Sequence, residues 1–379
     1  MLSAADRAGA RLIIDLAAIA RNWRALKARI GAGVECAAVV KADAYGLGMA
    51  RVAPALAAAG CRSFFVATLD EGLGLKRLVP EAAIYVLDGA MPGAEGEFAE
   101  AALVPVLNDL DAIARWAGEA GRRTQSLPAA IHLDTGMSRL GLSEREARRL
   151  AGAPDLLSGL APQLVLSHLA CAEDPGHEMN AAQRVRFAAT IASLPAMRAS
   201  LANSSAILLG AAYHFDMVRP GAALYGINPS PAGPNPMAQV VRMQGKIIAL
   251  RDVDRAMTVG YGATHRLARK GRIATIPVGY ADGFPRALGN LAQAALAEPA
   301  QGAVLVPVVG RVSMDLITLD VSDVPADSAR LGAWVDLIGG ARPLDDVAAE
   351  AGTIAYEILT RLGARLPRLY VEDAAEGAR

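Results

Sequence analysis

The sequence predicts an α/β protein in two parts, a closed (β/α)8 TIM-like barrel followed by a C-terminal, mostly antiparallel β domain. Three observations carry this reading. From about residue 12 to 220, short apolar runs alternate with amphipathic stretches of ten or more residues, the pattern of strand–helix units built on a parallel sheet. The apolar runs in that region number eight. After NPSPAGPNP at 228–236, a stretch dense in turn-forming residues, the rhythm changes to Val- and Ile-rich runs broken by Gly or Pro. The expected domains are therefore 12–235 and 236–379, with residues 1–11 available to pack with the second.

The strand candidates, in order, are CAAVV (36–40), SFFVA (63–67), AIYVL (83–87), VPVL (104–107), AAIHL (129–133), QLVLS (163–167), ASLA (199–202) and FDMV (215–218). Helical patterns lie at 16–30, 49–59, 109–120, 143–151 and 178–193. Most of the strands are apolar throughout, as they must be when helices cover them outside and side chains fill the interior. A doubly wound open sheet is the alternative. It would usually show a GxGxxG turn after its first strand, and the sequence has none there. In the second part the runs at 239–250, 272–278, 303–309, 313–321 and 333–338 read as strands, and the chain closes on a small polar tail.

Composition narrows the function. Basic and acidic residues balance at 38 each with no run of like charge, so there is no electrostatic footprint for nucleic acid or an anionic membrane. A small-molecule substrate is the better expectation. No apolar run reaches the ~20 residues that span a bilayer, and the N-terminus lacks the charged start and apolar core of a signal peptide. A cytoplasmic protein is expected. Its three cysteines show no CxxC spacing and read as reduced, buried thiols, with neither a disulfide framework nor a zinc site. Only five residues are lysine, namely Lys27, Lys41, Lys76, Lys246 and Lys270. Arginine cannot lose its proton near neutral pH, so amine chemistry must use one of those five.

Lys41 ends the first barrel strand, where the loops of such a barrel build an active site. The residues after it, Ala42 to Gly48, are small or polar and admit close approach of a ligand, with Tyr45 as a hydroxyl donor for a phosphate. A solvated strand-end lysine is the bland alternative. Other strands end in HLDTGMSRLG (132–141), with Asp134, Thr135, Gly136 and Arg139, and in SHLA (167–170), with His168. ANSSA (202–206) and VRPGAALYG (218–226) bring Ser204, Arg219 and Gly221 to the same end. Each insertion could be structural alone, but their convergence on one end of a barrel is poorly explained that way.

KADAYGLG, DTGMSRLG, SHLA, ANSSA and VRPGAALYG, with GYGATH (260–265), PVGYADGFPR (277–286) and GRVSMDLI (310–317) in the second part, resemble the motifs of the alanine racemase family, fold-type III pyridoxal-phosphate enzymes. They stand in the family's order across nearly the whole chain. The resemblance implies interconversion of L- and D-alanine by two bases, as in the making of peptidoglycan precursors. Lys41 would hold pyridoxal 5'-phosphate as an imine, and Tyr45, Ser204 and Gly221 would meet its phosphate, with Tyr356 a further candidate. Arg219 would face the pyridine nitrogen. Lys41 and Tyr261 would be the two catalytic acid–base groups, with His168 hydrogen-bonding the tyrosine and Arg219 next in that chain. Arg139 and Met314 would bind the substrate carboxylate region, and Tyr280 and Asp315 would shape the entrance. In the family the residues of the second domain reach the partner's barrel, which implies a homodimer with composite sites.

Three positions depart from the family pattern. His132 stands where a lysine, carbamylated in the family, often braces the arginine corresponding to Arg139. Ser313 replaces a common cysteine, and Ala364 stands where some members have a tyrosine beside the substrate. An opened pocket would favour a racemase of broader specificity, for serine or basic amino acids. A non-catalytic pyridoxal-phosphate carrier needs only the barrel, so the second domain argues against it. A metal-dependent barrel hydrolase needs clustered ligands, which five scattered histidines do not supply.

Overall fold

The computed structural model describes residues 7–298 and 302–372, and the polar tail lies outside them. The chain divides into two compact units: the described residues up to Ala18 with Tyr225–Ile227 and those from Ala238 onward, and Ile19–Leu224 with Asn228–Met237.

In the second of these, strands at 38–39, 63–66, 83–86, 104–107, 127–132, 160–166 and 198–200 pair in chain order as a seven-stranded parallel sheet. The ring closes through Met217–Val218, the eighth sequence candidate, which pairs in parallel with Glu35–Cys36. The N–H groups of Glu35, Ala37 and Val39 go to the carbonyls of Asp216, Val218 and Pro220, while the Val40 N–H goes to Phe65. On its other side the last strand donates from Asp216 and Arg219 to Ala199 and Ala202. The run 36–40 is thus split into two short strands because alternate N–H groups serve different neighbours.

Ser63–Val66 is buried along its whole length, as expected of a strand packed on both faces. Phe65 stacks on Tyr85 inside, with ring centroids 4.6 Å apart. The surrounding helices start where the sequence supplies caps: Asp109 Oδ1 accepts from the Ala112 N–H, and Thr68 and Ser143 head capping boxes with Glu71 and Glu146.

In the other unit a six-stranded sheet runs in the order 302–307, 293–298, 334–338, 241–246, 10–15 and 368–371. All of its pairings are antiparallel except that of 10–15 with 368–371. Strand Ala10–Asp15 is hydrogen-bonded on both edges here, so residues 12–18, which the sequence pattern gives to the barrel, lie in this unit. The run 239–250 also divides. Ile247 donates to Ala333 and Ile248 to Thr275, so the chain changes sheets between Val241–Lys246 and Ala249–Val253. The latter joins 271–276 and 317–320 in a three-stranded sheet. Of the run 313–321 only Ile317–Asp320 is a strand, because Ser313 closes a tight turn onto Leu316.

Candidate active site

All barrel strands run parallel, so their following loops gather at one mouth. Lys41 follows 38–39, His168 follows 160–166, Ser204 follows 198–200, and Arg219 and Gly221 follow 217–218. The loop after Lys41 is left-handed, with φ of 53°, 53°, 54° and 57° at Ala42, Asp43, Ala44 and Tyr45. Residues with a Cβ lose roughly 1–2 kcal/mol each in that conformation. The turn is closed by the Gly46 N–H on the Ala42 carbonyl (2.7 Å), and Asp43 Oδ1 accepts from the Met49 N–H (2.7 Å). Burial and the Arg139 cation hold the Lys41 ammonium below its ordinary pKa, opposed by Asp88 and Glu71. A larger fraction of it is therefore the neutral, nucleophilic amine.

Tyr45 is buried, and burial pushes its phenol up to about 12, so it stays a neutral donor. Gly221 lies against it: a Cβ there would stand 2.4 Å from Tyr45 Oη. Ser204 Oγ accepts from the N–H groups of Gly221 (3.0 Å) and Ala223 (3.2 Å), which leaves its own O–H to donate.

Arg219 is 4% exposed. It donates to Ser200 Oγ (2.5 Å) and the Ser167 carbonyl (2.7 Å) and reaches His168 Nδ1 at 3.5 Å. Among the described residues no carboxylate pairs with it. Burial lowers its pKa to about 10, so it remains a cation at neutral pH. An arginine can only donate, so His168 Nδ1 accepts, and the neutral ring carries its proton on Nε2. Burial, then Arg219, Arg139, Lys41 and His132, hold His168 down to about 3. Gln183, fully buried, fixes the turn behind it by donating to the His168 carbonyl (2.9 Å) and Thr135 Oγ1 (3.2 Å) and accepting from the Ala170 N–H (2.9 Å).

His132 is the opposite tautomer. Asn108 Nδ2 donates to the carbonyls of Leu87 and Val106, both at 3.1 Å, so Asn108 Oδ1 must accept from His132 Nδ1–H at 2.7 Å. Nε2 is left as a bare acceptor. Burial first, then Arg219, lower this histidine to about 4, so it is neutral near pH 7. Asp134 Oδ1 organises the following turn by accepting from the N–H groups of Gly136, Met137 and Ser138. That turn leaves Arg139 exposed, with no hydrogen-bond or ion-pair partner among the described residues.

In the other unit, Tyr261 sits at the tip of the hairpin formed by Met257–Val259 and His265–Leu267 and is 74% exposed. Met314 is 54% exposed, and its N–H has no acceptor among the described residues. Its carbonyl accepts from the Ala281 N–H (3.1 Å), so Tyr280 and Met314 lie on adjoining loops. Arg365 ties the same loops together, with two bonds of 2.8 Å to the buried Asp282 and one of 2.6 Å to Asp315. Tyr356 lies on helix Ala355–Thr360 of this unit.

The sequence reading missed Glu71, Asn108, Gln183 and the Arg365–Asp282 pair. Only Glu71 left a signal, the T-x-x-E capping pattern at 68–71.

Comparison with known proteins decides what this constellation belongs to. The family model of the alanine racemase N-terminal domain matches residues 14–229, and that of the C-terminal domain matches 240–370. The chain belongs to the alanine racemase family. An alanine racemase of Rhodospirillum rubrum is 54% identical over 366 residues, 96% of each chain, and one of Acidiphilium cryptum is 53% identical over 94% of this chain and 98% of its own. The crystal structure of alanine racemase from Bartonella henselae with covalently bound pyridoxal phosphate superposes with a TM-score of 0.91 at 40% identity, covering 96% of this chain and all of that one. As an alanine racemase family member this chain is a pyridoxal-phosphate-dependent isomerase.

The barrel mouth fits that cofactor by its own chemistry. A buried guanidinium without a carboxylate calls for an electron-rich partner such as an aromatic nitrogen. A depressed lysine offers an amine to an aldehyde, and Tyr45 and Ser204 offer hydroxyl donors beside a glycine that leaves no room for a side chain.

Proposed function

We propose that the interconversion of L- and D-alanine, the reaction of the family, is carried here by Lys41 and Tyr261 acting on opposite faces of the substrate Cα, with Tyr261 supplied by a second copy of the chain. Inversion requires a proton to leave one face and another to arrive on the other, so the two groups cannot be the same. The cofactor, when bound, supplies an electron sink conjugated with the Cα–H bond. Lys41 Nζ holds one proton, and burial beside the Arg139 cation makes that proton easier to release than from an ordinary lysine. Tyr261 Oη holds the other. A phenol titrates near 10, so it needs a donor that stabilises its anion. His168 is set for that role, because Arg219 occupies its Nδ1 and leaves the N–H on Nε2.

Arg219 keeps its own proton and would hold the cofactor's ring nitrogen by donating to it without protonating it, which would keep the electron sink shallow and restrain side reactions such as transamination. Tyr45, Ser204 and Gly221 hold the phosphate. Arg139 and the free N–H of Met314 take the substrate carboxylate, with Tyr280 and Asp315 at the entrance. The single observation that carries the reading is the barrel-mouth set Lys41, Tyr45, His168, Ser204, Arg219 and Gly221 around one buried cation. The exposure of Tyr261 and Met314 leaves both side chains available to another chain. No described helix is long and apolar enough to cross a membrane, and with three free cysteines this supports a cytoplasmic placement.

Subunit mixing tests the assignment. Lys41→Ala and Tyr261→Phe are each inactive alone, and Tyr261→Phe keeps the visible absorbance of the cofactor while Lys41→Ala loses it. Co-refolding the two restores about a quarter of wild-type activity if each site joins residue 41 of one chain to residue 261 of its partner. No restoration would place both groups in one chain, and full activity of Tyr261→Phe would remove it from the mechanism.

A further inference from the structure

Glu71 is the third residue of helix Leu69–Leu78, five positions beyond the end of strand Ser63–Val66, and its plain role is the second half of a capping box with Thr68. The distances assign the carboxylate elsewhere. Its contact with the Thr68 N–H is 3.4 Å, whereas Oε2 accepts from the Ala67 N–H at 2.8 Å and Oε1 from the Ala42 N–H at 2.6 Å. The short bonds therefore bridge the end of one barrel strand to the first residue of the left-handed loop after Lys41.

We propose that Glu71 is a positioning residue that clamps the strained Lys41–Tyr45 turn in its left-handed form, and so fixes both the amine and the phenol at the barrel mouth. The argument starts from the backbone. Four consecutive non-glycine residues at positive φ do not hold that conformation unaided, and such strain persists only where surrounding contacts over-determine it. The turn's own bonds link Gly46 to Ala42 and Gly48 to Asp43, and Asp43 anchors its far end to Met49. At the near end the Ala42 N–H would otherwise face solvent. A carboxylate is the right clamp, because a charged acceptor makes a shorter and stronger bond than a neutral one and can serve two N–H donors at once. Its charge also lies within electrostatic reach of Lys41, so the same group orients the loop and offsets part of the desolvation of the ammonium.

The inference rests on Lys41 being the cofactor-bearing residue, but its first readout does not. In the holoenzyme, backbone amide exchange of a peptide spanning 39–48 should be about tenfold faster in Glu71→Ala, the loss expected for a charge-assisted hydrogen bond, while peptides from strand 160–166 are unchanged. Thr68→Ala removes the helix cap and leaves the carboxylate, so it should fray the helix at 69–78 without opening 39–48. The second readout is kinetic: Glu71→Ala should lose about tenfold in kcat with KM for alanine within about twofold, as expected when the reacting group and not the substrate is displaced. Glu71→Gln carries the same comparison should the alanine variant fail to fold, with an intermediate effect, because an amide can accept from only one of the two N–H donors. An unchanged 39–48 peptide in the Glu71 variants, or an equal opening in Thr68→Ala, overturns the proposal and leaves the assignment of Lys41 standing. Retention of the cofactor's absorbance in Lys41→Ala overturns that assignment instead, and leaves the exchange result intact.

Discussion

Acidification should unfold the cofactor-free protein through two histidines before the ordinary carboxylates titrate. His132 and His168 are held at about 4 and about 3, against 6.5 for the free side chain, chiefly because burial at the barrel mouth disfavours their charged forms. A depressed histidine means that the unfolded chain binds the proton first. Its contribution is therefore fully present above pH 6.5 and is lost as pH falls toward the folded value. For His132 the difference amounts to about 3 kcal/mol once pH 4 is reached, at 1.36 kcal/mol per unit. With both histidines titrating only in the unfolded state, stability should fall by about 2.4 kcal/mol between pH 6 and 5. Urea unfolding at several pH values across that window measures the slope. His132→Asn removes one titration, should keep the Asn108 contact by its own amide, and should halve the change to about 1.2 kcal/mol over the same pH unit. A slope that is the same in the variant and the parent would show that His132 is not buried as a neutral ring, and the tautomer derived from Asn108 would fall with it.

Two further perturbations probe the two units separately. Gly221→Ala places a methyl 2.4 Å from Tyr45 Oη and 3.2 Å from Val39 Cβ, so overpacking should cost about 1–3 kcal/mol and displace the phenol. Weaker cofactor retention, measured by dialysis, should accompany a lower unfolding temperature, and wild-type retention would mean that Tyr45 is not a phosphate group holder. Arg365→Ala strips the Asp282 carboxylate, 1% exposed, of its bidentate partner and leaves it, among the described residues, only the Gly279 N–H, so the unfolding temperature should fall clearly. Arg269→Ala breaks a pair with both members exposed and should change it little; equal effects would show that the Arg365–Asp282 tie does not brace the Tyr280 loop.

Much was legible before any coordinates, because the signals concerned are local. Strand existence follows from apolar runs bounded by turn residues, and every barrel strand named from the sequence pairs in the structure. The motifs around Lys41, Arg139, His168, Ser204, Arg219 and Gly221 identified the family, since backbone approach, hydroxyl donation and fixed charge require particular residue types at particular loop positions. Strand boundaries were less well drawn where neighbours decide them: residue 247 is as apolar as its surroundings, yet the chain changes sheets there because its N–H meets Ala333.

What the sequence determined by itself is which residue types stand at the strand ends and that any amine chemistry must use one of five lysines. Only the tertiary structure decided how those residues are held. Asn108 fixes the tautomer of His132 across 24 positions, Arg219 fixes that of His168 across 51, and Glu71 reaches 29 positions back to Ala42. The physical reason is that a hydrogen bond is specific in direction and reach but silent in sequence: nothing in the local pattern at Glu71 or Asn108 records the partner that folding brings within 2.7 Å.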